Sequence, residues 1–319
     1  MRFEKAFIPL GLCWSSPFAR WQGPLSEVSS MDLAVAVTRK ALEERSFDPA
    51  EAERFIYGWT IPQETSFFGA PTVAARIGAP GISGPMISQA CATSAVAVHT
   101  AAAGIEAGDE GVTLVVVADR TSNGPYLLYP NPSAMGGAPA VEHWVLDNFR
   151  RDPWAGEAMV DTAENVAKEA GITRQEADEV TLLRYEQYRR GLVDDRAFQR
   201  HYMVPAVIPQ RKGEPLALEA DSGIIPSTAE GLARLKPVSP DGVTTYGSQT
   251  HPADGAAGAL VADRETARRL GQDGQAVQLL ATGFARVEKA RMPKAPVPAA
   301  LSALRDAGLT MKDVDAVTT

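Results

Sequence analysis

The stretch "ATSAVAVHTAAAGIEA", Ala92 to Ala107, has almost no polar side. Ala95, Val96, Ala97, Val98, Ala101, Ala102, Ala103 and Ile105 leave no charged stripe around the helix that their composition predicts. A helix that is apolar all round is buried all round. A helix resting on one sheet would turn a polar face to water. The stretch therefore predicts a helix held between two sheets, where a charge at Val98 prevents folding. That arrangement calls for a second α/β half and a five-layer αβαβα fold.

Cys91 stands where this helix begins, directly after "GPMISQA", which reads as a strand. The chain has only one other cysteine, Cys13. Two readings of Cys91 stand on the residues alone. Burial is one, since free cysteine is among the most buried residue types. Nucleophilic catalysis is the other, because the partial positive charge of a helix N-terminus favours the reactive thiolate. Cys13 lies in no motif and reads as a packed side chain.

The surrounding segments alternate. "KAFIPLGL", "RFIYGWTI", "GPMISQA" and the β-branched run "GVTLVVVADR" read as strands. Between them, "SMDLAVAVTRKALEERSF" reads as a helix with Ser30 as N-cap, and "FFGAPTVAARIGA" as a short helix. This order predicts an α/β layered fold with parallel pairing. From Thr121 the alternation stops. "SNGPYLLYPNPSAMGGAPA" reads as loop, and "DTAENVAKEAGI", "TRQEADEVTLLRYEQYRRGL" and "DDRAFQRHYM" as charged amphipathic helices. The alternation returns with "DGAAGALVADRETARRLG" and "AVQLLATGFARVE", then the helix "VPAALSALRDAGL" and the start of a strand, "VDAVTT". The expected organisation is one α/β half over 1–120 and 244–272, an insertion over 121–243, and the start of a second half over 273–319.

A formal net charge of -8 and a pI near 5.2 argue against a general nucleic-acid binder. Two cysteines make neither a disulfide framework nor a cysteine metal site, and fit a reducing compartment. No stretch approaches the length of a membrane span, and "MRFEKAFIPLGLCW" shows no signal-peptide pattern. The expectation is a cytoplasmic protein with no metal, membrane or nucleic-acid partner.

Several motifs, in order, carry a resemblance. "QACATSAVAV" resembles the nucleophile motif of the thiolases, in which a cysteine opens a buried helix. "TSNGPY", "MVDTAENVAKEAGITRQEADE", "IPQRKGEP", "LARLKPV" and "ADGAAGALVADRETARRLG" resemble later thiolase segments, so the likeness runs over essentially the whole chain. It implies a thiolase-like αβαβα fold of two similar halves with a helical insertion, dimers or tetramers, and chemistry on acyl-CoA thioesters. Coenzyme A is then part of the substrate, with no permanently bound cofactor. Cys91 takes the nucleophile's place and would carry the acyl group as a thioester. Met159 and Thr250 fall where the family contacts the CoA arm, with Ser248 and His251 in the same loop.

The resemblance has gaps. "YGSQTHPADG" departs from the family's loop through Tyr246, His251 and Pro252, and Ile224 and Gly231 replace residues that grip the adenine end in some members. His251 reads better as a loop histidine bonded to backbone than as a catalytic base. Arg211 and Lys212 are candidates for CoA phosphates or a solvated pair. Tyr126, Tyr129, Trp144, Phe149 and Trp154 either line an acyl pocket or, the better reading, form a small core of the insertion. The family places its oxyanion asparagine, activating histidine and second cysteine after the "VDAVTT" strand, so residues 1–319 are expected to hold an incomplete second half and site. The alternative is a half-site subunit acting with a partner chain, such as the small accessory subunit of some thiolase-like proteins. A ketoacyl synthase shares the fold and the cysteine, but "TAENVAKE" and "QRKGEP" argue against it.

Overall fold

The computed structural model describes residues 1–210 and 212–318. Its strands are β1 (Phe7–Pro9), β2 (Cys13–Ser15), β3 (Ala19–Arg20), β4 (Arg54–Gly58), β5 (Met86–Ile87), β6 (Val112–Asp119), β7 (Tyr126–Tyr129), β8 (Ala140–His143), β9 (Ala206–Ile208), β10 (Leu216–Leu218), β11 (Ala253–Ala262) and β12 (Ala276–Gln278). The helices are α1 (Ser30–Glu44), α2 (Gly69–Arg76), α3 (Thr93–Ala107), α4 (Leu146–Arg150), α5 (Met159–Ala170), α6 (Arg174–Gly191), α7 (Val193–Arg200), α8 (Ala229–Ala233), α9 (Arg264–Leu270) and α10 (Pro296–Ala307).

The main sheet runs β12-β1-β11-β6-β4-β5, with β2 and β3 also paired to β11. Pairing is parallel only for β4 with β5 and with β6; β11 is antiparallel to β6 from Gly255↔Asp119 to Ala262↔Val112. The parallel pairing expected from the sequence thus holds for part of the sheet. "KAFIPLGL" supplies β1, and β2 and β3 follow it as separate short strands along β11.

Side chains alternate across this sheet with the strand period of 2. Phe55, Tyr57, Leu114, Val116, Leu260 and Ala262 pack with α1, α2 and α9, through residues such as Leu33, Val37, Val73 and Ala267. Ile56, Val115 and Val261 face the other way, onto Ala97, Ala101, Ala102 and Ile105 of α3. The N-cap of α1 is Ser29, whose hydroxyl accepts from Met31 N–H, one residue earlier than expected because the two serines are adjacent.

α3 departs from expectation more instructively. Its sheet-facing residues are buried, but Ser94 and Ala95 are exposed, and Val96 and Val98 are only partly buried. Among the described residues no second sheet forms over its outer flank; the other two sheets are the hairpins β7–β8 and β9–β10. β12 joins the main sheet beside β1. Residues 314–318 of "VDAVTT", read from sequence as the start of a strand, form none: among the described residues no neighbouring strand pairs with their backbone.

Between β6 and β11 the chain forms α4 to α8 and the two hairpins. The Pro- and Gly-rich segment read as loop contains β7 and leads into β8, the two paired from Tyr126↔His143 to Tyr129↔Ala140. Asp254, fully buried at the start of β11, ties this excursion to the sheet. Its Oδ1 accepts from the N–H groups of Thr121 and Ser122 at 2.8 and 3.0 Å and from the Thr121 hydroxyl at 3.1 Å. Asp254→Ala leaves those donors unpaired and is expected to cost about 2–5 kcal/mol. Chemical denaturation reads this directly, and an unchanged midpoint would contradict the role given to Asp254.

Candidate active site

In open α/β sheets, ligands bind outside the carboxyl ends of the parallel strands. That end of this sheet holds Thr60 after β4, the segment after β5 that leads to Cys91, and Asp119 at the end of β6. Because β11 runs antiparallel to β6, the loop before it, Ser248 to Pro252, comes to the same end. Four neighbouring strands, β11, β6, β4 and β5, span about 15 Å at the usual strand spacing.

Cys91 is exposed, in the middle of a 3-10 turn, Ala90–Ala92, that runs directly into α3. The turn is held from below. Thr93, 5% exposed, accepts from Gln89 N–H at 2.8 Å and donates its hydroxyl proton to Ala90 O at 2.7 Å. Gly58 of β4 makes room for it, since a Cβ there would lie 2.9 Å from Thr93 Cγ2 and 2.7 Å from Val117 Cγ1. Ala90 adopts φ +44°, a left-handed conformation that L side chains seldom take. The packing of Thr93 over Gly58 thus maintains a locally costly backbone next to the thiol. Burial, the bland explanation of Cys91, does not apply to an exposed cysteine. Cys13 is also exposed, not packed as expected: it faces out from a short strand along β11.

The other sequence-predicted residues fall in two places. Met159 is the first residue of α5 and partly buried. Ser248, Thr250 and His251 share the loop before β11. Thr245, fully buried, organises that loop: its hydroxyl accepts from Gly247 N–H at 3.1 Å, and its N–H donates to Ser248 Oγ at 3.0 Å. Thr250 is exposed, and its hydroxyl donates to His251 O at 3.2 Å. His251 places Nδ1 3.0 Å from Pro252 O and Nε2 3.4 Å from Gly223 O, so it is engaged with backbone carbonyls. The hydrogen bonds of the Cys91 turn described above are internal, and topology is what brings that turn and the 248–252 loop to one end of the sheet.

Tyr246 and Ile224 are exposed, Gly231 lies in α8, Lys212 is exposed, and Arg211 lies outside the described residues. The insertion aromatics do not form the expected core. Tyr126 and Tyr129 on β7, Phe149 in α4 and Trp154 after it are all exposed, and none of them joins a buried cluster. Trp144 is half-buried and donates its indole N–H to Thr60 O at 2.9 Å.

Sequence reasoning missed Asp119. Its carboxylate accepts from the N–H groups of Thr60 and Ile61, at 2.8 and 2.9 Å, and from the Thr60 hydroxyl. Burial pushes this carboxyl above its ordinary range, those hydrogen bonds oppose the shift, and nearby Asp254 adds to it. Asp119 thereby fixes the turn after β4 to β6. A charged residue closing an apolar β-branched run was the one signal for it. Among the described residues, no group of three or more His, Cys, Asp and Glu side chains is placed to hold a metal, and no helix is long and apolar enough to cross a membrane.

Comparison with known proteins agrees with this geometry. Residues 14–265 match the family description "Thiolase, N-terminal domain". A beta-ketoadipyl-CoA thiolase of Acinetobacter baylyi is 30% identical over 313 residues, which cover 95% of this chain and 77% of that protein. An acetyl-CoA acetyltransferase of Chromobacterium violaceum is 31% identical over 301 residues, 92% of this chain and 76% of that one. Among solved structures, the acetyl-CoA acetyltransferase from Syntrophomonas wolfei superposes with a TM-score of 0.85 at 28% identity, covering 98% of this chain and 78% of that chain. The fold is thus the thiolase fold, and the chain belongs to the thiolase family. With that membership it is a thiolase-type acyltransferase.

Proposed function

We propose that the protein cleaves or forms 3-oxoacyl-CoA thioesters through an acyl thioester on Cys91. The observation that carries this reading is the placement of Cys91: an exposed thiol in the turn that opens α3, at the carboxyl ends of parallel strands. In the cleavage direction the Cys91 thiolate attacks the 3-oxo carbon. The bond between carbons 2 and 3 breaks, its electron pair leaves as the acetyl-CoA enolate, and the enolate takes up a proton. The acyl group now on Sγ passes to the sulfur of a free CoA thiolate, which regenerates the Cys91 thiolate. Met159, Ser248 and Thr250 are proposed to contact the CoA arm. His251, held by carbonyls, has a structural part in the loop.

Condensation or cleavage also needs a base or acid for the enolate carbon and donors for the developing oxyanion. We propose that these groups come from outside residues 1–319, from further chain or a partner chain. Two observations support this: the uncovered outer flank of α3, and the 77% share of the Acinetobacter relative that the match covers. Assembly into dimers or tetramers fits the exposed rings of the β7–β8 hairpin, and two unpaired cysteines fit the cytoplasm.

The test is intact-mass measurement of residues 1–319 mixed with acetyl-CoA or a 3-oxoacyl-CoA. The expected result is one acyl group per chain without sustained turnover. The loss of one oxyanion donor alone costs on the order of 10²–10³ in rate. No adduct would overturn the nucleophile assignment. Turnover at an ordinary enzyme's rate would show that the catalytic groups are all present within these residues.

A further inference from the structure

α5 carries Met159 at its start and Glu164 farther along. The Glu164 carboxylate accepts from Val243 N–H at 2.9 Å through Oε2 and from Thr244 N–H at 2.8 Å through Oε1. Gly242 closes over the same carboxylate: a Cβ there would lie 2.7 Å from Oε1 and 2.8 Å from Cδ. The chain at 242–244 thus wraps a side chain from α5, with the backbone amides of Val243 and Thr244 as donors and the Thr244 side chain beside them. Partial burial works against the charge on Glu164, but the hydrogen bonds from Val243 and Thr244 outweigh it and hold the carboxyl below its ordinary range. Thr245 follows immediately, fully buried, and builds the turn that carries Ser248.

We propose that Glu164 is a positioning residue for acyl-CoA binding. It fastens the Gly242–Thr245 turn to α5, so that Met159 and the Ser248–Thr250 loop present themselves to a CoA arm as one unit. This rests on the thiolase reading above. A bound arm would otherwise have to order the loop at its own expense, and a preformed loop removes that cost. The chemistry of the thiol is separate, because Cys91 is held by Thr93 and Gly58 on other elements.

The experiment follows Cys91 acylation against acetyl-CoA concentration by intact mass, with the whole 319-residue chain. Glu164→Ala is expected to raise the half-saturating concentration about tenfold and leave the saturating rate within about twofold. Gly242→Ala, which pushes on the carboxylate from the loop side, is expected to give the same split. Hydrogen exchange at the Val243 and Thr244 amides should rise in both variants while α3 stays protected. A lowered melting temperature with an unchanged half-saturating concentration would make Glu164 a structural brace only and overturn the proposal. So would a loss confined to the saturating rate. If Glu164→Ala does not fold, Gly242→Ala decides alone. A wild-type chain that forms no adduct at any acetyl-CoA concentration overturns the thiolase reading, and this inference with it.

Discussion

Replacing Cys91 by alanine is expected to abolish the acyl adduct on residues 1–319. In any assembly that turns over, 3-oxoacyl-CoA cleavage should fall by roughly four to six orders of magnitude, the scale on which covalent enzymes lose rate when the nucleophile is removed. The size of the effect follows from the two-step route: without Sγ there is no acceptor for the acyl group and no thioester for CoA to attack. The substitution should leave the fold intact, because the side chain is exposed and the turn around it is held by Thr93, Gln89 and Ala90. Thermal unfolding and the single-turnover rate, measured side by side, separate the two. An adduct that survives Cys91→Ala would place the chemistry elsewhere.

Ala101→Asp is expected to prevent folding. Ala101 is fully buried in the α3 face packed on Ile56, Val115 and Val261, with no charged partner within that cluster. An unpaired charge there costs several kcal/mol at least, against a typical total stability of about 5–15 kcal/mol. Ala95→Asp, on the exposed flank of the same helix, should be tolerated within residues 1–319. In an assembly whose second sheet covers that flank, the same change should block association. Soluble yield and circular dichroism read both variants. An Ala101→Asp protein with native stability would contradict the packing described for α3. Val98, chosen from sequence as the site for a disruptive charge, is only partly buried and makes a weaker test.

The α/β body was legible because it is written in local patterns. The β-branched run of β6 and the amphipathic α1 fold as their periodicities imply. The all-apolar character of α3 predicts a sheet on each side, but among the described residues only the sheet of β4, β6 and β11 packs on it, and Ser94 and Ala95 are exposed. Composition records what a helix needs around it, without saying where those layers come from. Cys91 could be placed at a strand-to-helix junction, while its exposure depends on how Thr93 seats over Gly58, a contact between elements distant in sequence. Glu164 was illegible for the same reason. On an amphipathic helix it looks like a solvated carboxylate, and its partners are backbone amides 79 and 80 residues away. The insertion aromatics misled in the opposite direction: large rings suggest a core, yet Tyr126, Tyr129, Phe149 and Trp154 are exposed.

Peptide mapping after brief exposure to acetyl-CoA tests the central claim most directly, because the chain offers only two thiols, both exposed. The expected result is a thioester-linked acetyl group on the peptide containing Cys91 and none on the peptide containing Cys13, with the label removed by added CoA. Label on Cys13 at equal or greater level, or label on Cys91 that CoA cannot remove, would contradict the assignment of Cys91 as the acyl-carrying nucleophile.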